Sequence, residues 1–423
     1  MSNRKGVELF RWRAKNLLDA TSMREPEKIP VSLEVLTWPY RYAGTTLKDV
    51  IDDPVKNAEA YCRYMADYEY DFALGAGNYV PYDAFLAVGS EGYKLHTDNT
   101  TVQHNQANQH FITDEEYEIL INDYSYFANE YFPKKTVPAF KKSKREAYEM
   151  MKKSAECIVR HEKMLDIASR KAVFEHQIVP VAVPAPIPTE EDEARVRAQG
   201  YASVKEAYNF RPFTKMFYAP IDLLFDSYRG MMDTFEDLMN NEEVLEKACE
   251  TILNQPDPMP PMPLDFDYTQ APLPFGAGVY HIAAFLNPEQ YDKYWFREFK
   301  RQMLPYAEKG LKIFIKGEGA FLHIIDRFKE FPTGTIIIQM DLDDPVEAKK
   351  HLAGSQTVYG GLIPAQLFHY HKDKVFDRVK KIIDECAPGG GFLFNVPCGF
   401  PTDVEPEVAM EVLNFVNEYG TKK

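Results

Sequence analysis

Short apolar runs alternate with amphipathic stretches over the last 150 residues of the chain. The apolar runs are rich in β-branched and aromatic residues and lie at 277–285, 312–319, 334–344, 356–362 and 392–398. Each is followed by apolar residues at helical spacing, and such repeats indicate parallel strands joined by crossover helices. Further strands are predicted at 31–38, at 71–77 and from residue 176. We therefore predict an α/β fold, a (β/α)8 TIM barrel with helical and hairpin insertions, formed as a single domain by residues 1–423.

Two stretches interrupt this pattern and are predicted to be insertions, at about 82–112 and 134–210. The first alternates aromatic and polar residues with Asn and Gly, which indicates a hairpin or an excursion on the barrel rim. The second is strongly helical up to residue 172 and polar from 189, where it forms a helical lid or a surface excursion. Its basic start, 134–145, is either a solvated helix face or a docking patch for an acidic partner.

Composition narrows the function. The 423 residues carry 64 acidic and 49 basic side chains, a net charge of −15, which argues against nucleic-acid binding and against anionic membranes. The five cysteines form no CxxC pair, as expected for reduced thiols in a cytoplasmic protein. The start of the chain is charged rather than apolar, and no run of about 18 apolar residues predicts a spanning helix. Phosphate-binding glycine motifs are also missing, so nucleotide binding has no support.

The carboxyl ends of the predicted strands carry the candidate chemistry, because these ends face the active site of a barrel. Glu318 lies between two glycines, which allow a ligand to approach closely. The other candidates are a thiol, an imidazole, an amine and polar or aromatic side chains, namely Cys398, His281, Lys316, Asp341, Trp38, Asn78, Tyr359 and Asn395. Glu318, Cys398 and His281 together resemble the ligands of a zinc site with an open position. Alternatives remain open: His281 and Cys398 also suit a buried core, and Asp341 also suits a helix cap.

Several segments resemble the uroporphyrinogen decarboxylase superfamily of (β/α)8 barrels, and within it the corrinoid-dependent methyltransferases. They are the opening RAKNLLDAT and EPEKIPV, the Asn-Pro-Glu helix start, the strand ending in Gly-x-Gly, and the stretches GTIIIQMDLDD, VYGGL and GGGFLFNVPCG. The likeness covers most of the chain and is best over 213–420. It implies a methyltransferase that demethylates a small methoxylated donor and passes the methyl group to the cobalt of a separate corrinoid protein. The many Tyr and Phe residues favour an aromatic donor.

Two departures from the family pattern shape this expectation. Decarboxylases of the superfamily carry an arginine-rich Arg-Gln-Ala-Gly-Arg segment after the first strand, where residues 39–44 of this chain read PYRYAG. The zinc methyltransferases carry His-x-Cys after one strand and Cys after the last, whereas this chain has Lys316, Gly317 and Glu318 at the first place and Cys398 at the second. The resemblance therefore implies a harder zinc site, suited to Lewis-acid binding of an ether or phenol oxygen.

The predicted roles follow from this comparison. Lys316, Glu318 and Asp341 are the expected catalytic residues, and Glu318, Cys398 and His281 the expected metal ligands. Substrate binding is assigned to Trp38, Asn78, Tyr359 and Asn395. Two alternatives stay open, a decarboxylase or lyase that acts on a carboxylated substrate without metal, and a non-catalytic corrinoid- or tetrapyrrole-binding scaffold.

Overall fold

The computed structural model describes residues 4–33, 35, 38–74, 80–90, 92–95, 102–104, 111–181, 186–208, 216–255, 267, 269, 275–361, 372–395 and 406–422. Its strands, numbered in chain order, are β1 Val31–Ser32, β2 Phe72–Ala73, β3 Tyr93–Leu95, β4 Val102–His104, β5 Val179–Pro180, β6 Met216–Phe217, β7 Phe275–Tyr280, β8 Lys312–Gly317, β9 Ile336–Gln339, β10 Thr357–Tyr359 and β11 Phe392–Asn395.

A nine-stranded parallel sheet curls into the body of a barrel. Its spatial order is β5-β2-β1-β11-β10-β9-β8-β7-β6, so that the first strand pairs with the last. The predicted TIM-barrel-like α/β fold is thus confirmed, with β6 as an additional strand. Only Met216 and Phe217 form β6, which pairs with β7, and two residues are too few for a periodic pattern to reveal.

The first strand is shorter than predicted. β1 ends at Ser32, and Trp38, which was expected to end the strand, is instead the first residue of the helix Trp38–Tyr42. Pro39 explains the difference, because proline at the first turn of a helix needs no hydrogen-bond donor and has a helical φ.

Helices surround the sheet and fill the connections. The α-helices are Gly6–Thr21, Trp38–Tyr42, Leu47–Val50, Pro54–Cys62, Tyr82–Ala87, Tyr117–Asn122, Tyr124–Tyr126, Phe132–Thr136, Lys144–Arg170, Glu190–Ala198, Val204–Tyr208, Pro220–Leu223, Met231–Asn240, Glu242–Leu253, Pro288–Tyr291, Arg297–Ala307, Pro345–Leu352, Lys372–Cys386 and Pro406–Tyr419. Helical turns of π type lie at Phe127–Tyr131, Lys171–Glu175, Leu224–Tyr228 and Asp292–Phe296, and 3-10 turns at Arg63–Ala66, Pro138–Lys141, Ile282–Phe285 and Ile325–Glu330. In the described part of the chain, no helix is both long and apolar enough to span a membrane.

The barrel interior and its amino-terminal end share one apolar cluster. Phe72, Phe314 and Tyr359 are buried there and contact one another through their rings. The helix Gly6–Thr21 packs against this cluster, and the carbonyl of Ala20 accepts a hydrogen bond from the amide of Gly391. The first helix therefore covers the amino-terminal end, which leaves the carboxyl end for chemistry.

The excursions between β2 and β5 lie against this barrel. Strands β3 and β4 form an antiparallel hairpin in which Tyr93 pairs with His104. The 27-residue helix Lys144–Arg170 begins with a capping box between Ser143 and Glu146. It packs on the helices Pro54–Cys62 and Tyr82–Ala87.

Candidate active site

The carboxyl ends of β7 and β8 bring His281 and Glu318 together. Tyr280 and Gly317, the last residues of the two strands, are partners in the parallel register. Their successors therefore emerge side by side, and the Nε2 atom of His281 lies 3.8 Å from Oε2 of Glu318. The side chain of Glu318 is 42% exposed, so this pair faces solvent at the rim.

The loop that carries Glu318 needs glycine on both sides. A Cβ atom on Gly317 would lie 2.6 Å from the ring of Phe321 and 2.8 Å from the carbonyl oxygen of Gln339. Gly319 has a φ of +104°, a conformation that L side chains rarely adopt. Both positions therefore favour glycine in this loop, and the predicted close approach of a ligand to Glu318 stays a prediction.

Two carboxylates after β9 hold the same loop. Asp341 accepts a hydrogen bond of 2.9 Å from the amide of Gly319, and Asp343 accepts bonds of 2.5 and 3.1 Å from the amides of Phe321 and Leu322. Burial raises the pKa of Asp341 above its ordinary value, and the negative charge of Glu318 raises it further. The hydrogen bond from the Gly319 amide lowers the pKa but does not cancel these two effects. In this geometry Asp341 positions the Glu318 loop, and the predicted catalytic role of Asp341 stays a prediction.

A buried carboxylate orients His281 from behind. Asp226 lies in the π-type turn Leu224–Tyr228, and its Oδ2 atom is 2.6 Å from Nδ1 of His281. The same oxygen accepts a hydrogen bond from the hydroxyl of Tyr218. Asp226 therefore fixes the ring orientation of His281 and leaves Nε2 directed toward Glu318.

The charges around His281 favour its protonated form. Burial lowers the pKa of His281, but the hydrogen bond to Asp226 and the negative charges of Asp226, Glu318 and Asp222 outweigh it. The net result is a pKa raised above the ordinary value for histidine. An imidazolium at the rim can donate a proton to a departing oxygen.

Asp222 fixes the backbone beneath this pair. Its Oδ1 atom accepts hydrogen bonds from the amides of His281 and Ile282, at 3.1 and 2.9 Å, and its Oδ2 atom accepts one from the indole of Trp295 at 2.8 Å. The carboxyl group is fully buried, and burial raises its pKa to about 6. Asp222 thereby locks the end of β7 in place.

Two of the predicted metal ligands have a geometry that suits zinc. Ligands of a tetrahedral zinc at ~2.0–2.1 Å from the metal lie roughly 3.4 Å apart, near the 3.8 Å between His281 and Glu318. Asp226 supplies the carboxylate that commonly orients a zinc-bound imidazole. Within the described residues, no group of three His, Cys, Asp or Glu side chains could hold a metal. The third predicted ligand, Cys398, lies outside the described residues, so the predicted metal site stays a prediction.

The remaining predicted residues occupy different surroundings. Lys316 lies beside Glu318, with 3.3 Å between Nζ and Oε1. Trp38 is buried and stacks on Tyr42, while Tyr359 and Asn395 are fully buried at the ends of β10 and β11. Asn78 lies outside the described residues. The substrate-binding roles of Trp38, Asn78, Tyr359 and Asn395 stay predictions.

Sequence reasoning missed Tyr218, Asp222 and Asp226. All three follow β6, and without that strand the rule about carboxyl ends could not be applied to them. A signal was present nonetheless: the two aspartates are four residues apart in an otherwise apolar helix start, so they share one face. Charged residues on an apolar helical face are buried only with partners.

One groove is separate from this rim. It has a volume of about 630 Å³ and lies at the amino-terminal face, where Ile29, Ile383 and Phe415 line it. Catalytic groups of barrel enzymes lie at the opposite face, so this groove does not serve the His281 site.

Comparison with known proteins agrees with this architecture. Residues 276–419, which include His281, Glu318 and Asp341, match the family model described as uroporphyrinogen decarboxylase (URO-D). The resemblance to the uroporphyrinogen decarboxylase superfamily is confirmed. The uroporphyrinogen decarboxylase of Geotalea uraniireducens (strain Rf4) is 28% identical over 173 residues, 38% of this chain and 47% of the relative. That of Bacillus subtilis (strain 168) is 26% identical over 160 residues, 37% of this chain and 44% of the relative.

Each of these alignments covers only part of the two aligned proteins. The chain spans about half the length of the curated relatives it matches. A solved structure of a methyltransferase from Methanosarcina mazei superposes with a TM-score of 0.53, over 96% of this chain and 98% of that one. At 11% identity this likeness shows a shared fold. The resemblance to the superfamily thus rests on sequence over the last third of the chain, and the solved structure adds a shared fold over nearly all of it.

Proposed function

We propose that this chain is a methyltransferase that demethylates a small methoxylated aromatic donor and passes the methyl group to the cobalt of a separate corrinoid protein. The observation that carries the proposal is the group Tyr218–Asp226–His281–Glu318 at the rim, in which the neighbouring carboxylates raise the pKa of an imidazole that can donate a proton to a leaving oxygen. The superfamily match and the methyltransferase fold support it.

Each reactant has a defined change in this reaction. The methyl carbon of the donor is attacked by the Co(I) atom of the partner's corrinoid. The electron pair of cobalt forms the cobalt–carbon bond, and the bond between the methyl carbon and the donor oxygen breaks. The donor leaves as a phenolate, which takes a proton from Nε2 of His281 and departs as a phenol. Asp226 and Glu318 stabilise the imidazolium before transfer, and Asp222 holds its backbone in position.

Zinc bound by His281, Glu318 and Cys398 would supply Lewis-acid stabilisation of the same leaving oxygen. Zinc and the proton are alternatives at Nε2, because a metal binds only the deprotonated ring nitrogen. Zinc binding should therefore release a proton from His281 when the imidazole is protonated. Zinc analysis of the purified protein, compared with a Glu318→Ala, Cys398→Ser double variant, tests the metal assignment: equal zinc content in both proteins contradicts it.

A group of aromatic side chains that follow β6 and β7 suits a flat donor. The ring of Phe285, which is 61% exposed, lies 5.4 Å from that of Phe235 and 6.3 Å from that of Phe225. These residues follow β6 and β7 on the same rim as His281. An exposed ring backed by two others offers a stacking surface for a methoxyarene.

Decarboxylation of a carboxylated tetrapyrrole is the second candidate, favoured by the family description and the curated relatives. The described segment after β1 offers it little support. In the helix Trp38–Tyr42, Trp38 and Tyr40 are buried and Arg41 is the single cation. A substrate with several carboxylates needs more than one arginine for bidentate binding.

One screen separates the two functions. Methoxylated aromatics and methylamines are incubated with the protein and cob(I)alamin, and methylcobalamin is followed by absorbance. We expect methylcobalamin with a methoxyarene and no reaction with methylamines. Release of carbon dioxide from uroporphyrinogen, without methylcobalamin from any methoxyarene, would refute the proposal.

A further inference from the structure

The helix Lys144–Arg170 exposes an apolar stripe along half of its length. Tyr148, Met151, Ile158 and Val159 are 65%, 46%, 41% and 63% exposed, although they are large and apolar. Tyr148, Met151 and Ile158 recur at intervals of three and seven residues, the spacing of a helix face that packs on a partner. The other face is already used, since Cys157, on that face, is buried against the body of the protein.

A basic border adjoins the first half of this stripe. Between residues 141 and 156, six cationic and three acidic side chains are exposed. The cations are Lys141, Lys142, Lys144, Arg145, Lys152 and Lys153. The whole chain carries a net charge of −15. A locally basic, apolar surface on an acidic protein is complementary to an acidic partner.

The stripe lies toward the catalytic side of the barrel. The helix leads through the turn Lys171–Glu175 to the beginning of β5, so its last residues are at the amino-terminal face and its first half points to the carboxyl face. The hydroxyl of Ser154 donates to the carbonyl of Ala84, in the helix that follows β2 on the carboxyl side. A protein bound there would lie on the carboxyl side of the barrel, the side on which His281 also lies.

We propose that this surface, the stripe Tyr148, Met151, Ile158 and Val159 with its basic border, docks the acidic protein that presents the methyl-accepting corrinoid. The inference rests on the proposed function and adds the surface and charge of its partner. Self-association is disfavoured because two copies would bring two basic borders together. An anionic membrane would attract the border but be repelled by the net charge of −15.

Two variants and a matched control test the docking surface in the full chain. One variant removes apolar contact, Tyr148→Ser with Val159→Ser, and the other reverses charge, Lys152→Glu with Lys153→Glu. The control reverses another exposed adjacent pair of lysines, on the helix Lys372–Cys386, Lys380→Glu with Lys381→Glu. Each protein is assayed with free cob(I)alamin and with a purified acidic corrinoid protein that the wild type methylates.

We expect the KM for the corrinoid protein to rise by at least about tenfold in both variants and to stay within about twofold in the control. Rates with free cob(I)alamin should be unchanged in all of them. The wild-type KM should also rise with salt, and less so in the charge-reversed variant.

Other results would overturn the proposal. Unchanged KM values, or equal losses with free cob(I)alamin, would show that the surface does not dock the partner. Concentration-dependent dimerisation that the variants abolish would assign the surface to a second copy, and binding to phosphatidylserine vesicles would assign it to a membrane. Failure of the wild type to methylate free cob(I)alamin is distinct, because it refutes the proposed function and the docking surface with it.

Discussion

Replacement of Asp226 by Asn tests the orientation and charge of His281 with little change in shape. The Oδ2 atom of Asp226 lies 2.6 Å from Nδ1 of His281, and the Asp226 side chain is only 6% exposed, so solvent screens this pair weakly. Hydrogen bonds to charged groups contribute about 1.5–3 kcal/mol. Since 1.36 kcal/mol is tenfold in rate, kcat/KM should fall by roughly 10- to 150-fold at neutral pH.

The pH profile carries the more specific result. In the wild type, Asp226 counteracts burial and raises the pKa of His281, so activity that needs the imidazolium persists above the ordinary titration range. It then falls as the pH rises through that raised pKa. In the Asp226→Asn variant the charge that opposes the effect of burial is lost, so the pKa of His281 falls. The descending limb of the pH–activity profile therefore moves to lower pH.

Tyr218→Phe is the matched control, with a shift in the opposite direction. The Tyr218 hydroxyl donates to the same Asp226 oxygen that contacts His281, and this donation weakens the carboxylate as an acceptor. Removal of the Tyr218 hydroxyl should strengthen the hydrogen bond between Asp226 and His281. The descending limb of the pH–activity profile should then move to higher pH. Stopped-flow measurement of methylcobalamin formation from pH 5 to 9 compares the three proteins. An Asn variant with wild-type kcat/KM and an unshifted limb would refute the assigned role of the pair.

Three further predictions concern the same barrel. Glu318→Gln should lower kcat by at least about tenfold, because it removes a charge beside His281; wild-type turnover would contradict this. Asp343→Asn weakens the acceptor for the amides of Phe321 and Leu322. The kcat should therefore fall, while the Tm of unfolding changes by only a few degrees. A large loss of Tm with normal kcat would contradict the positioning role of Asp343. Burial lowers the pKa of Lys312 to about 8, so the unfolded chain binds more protons and stability should rise between about pH 8 and 10.5. Lys312→Met should lose that rise, about 3 kcal/mol by urea unfolding, and a rise of equal size in the variant would contradict the assignment.

Long strands and their ends could be predicted from the sequence. β8 combines β-branched and aromatic residues over Lys312–Gly317, and the two glycines around Glu318 mark the abrupt turn that the structure contains. The alternation of strand and helix in the last third likewise predicts the parallel sheet. These features depend on local patterns that one stretch of sequence contains by itself.

The other half of the site depends on a contact that no local pattern shows. His281 and Asp226 are 55 residues apart, and their contact follows from the pairing of β6 with β7. β6 consists of only two residues, so no periodic pattern places the helix start that follows it at the rim. The four-residue spacing of Asp222 and Asp226 indicates a shared helical face, but it does not indicate that His281 is the partner. Trp38 was wrongly predicted to end the first strand, because it lies in a helix and packs in a cluster of aromatic rings.

The central claim is that His281 protonates the phenolate that leaves a methoxylated donor as its methyl group moves to cobalt. A single-turnover assay with a methoxyarene labelled by deuterium in the methyl group and cob(I)alamin compares the wild type with His281→Asn. We predict labelled methylcobalamin and an equal amount of phenol in the wild type, with a rate at least about 100-fold lower in the variant. Equal rates in both proteins, or phenol formed without label on cobalt, would contradict the account.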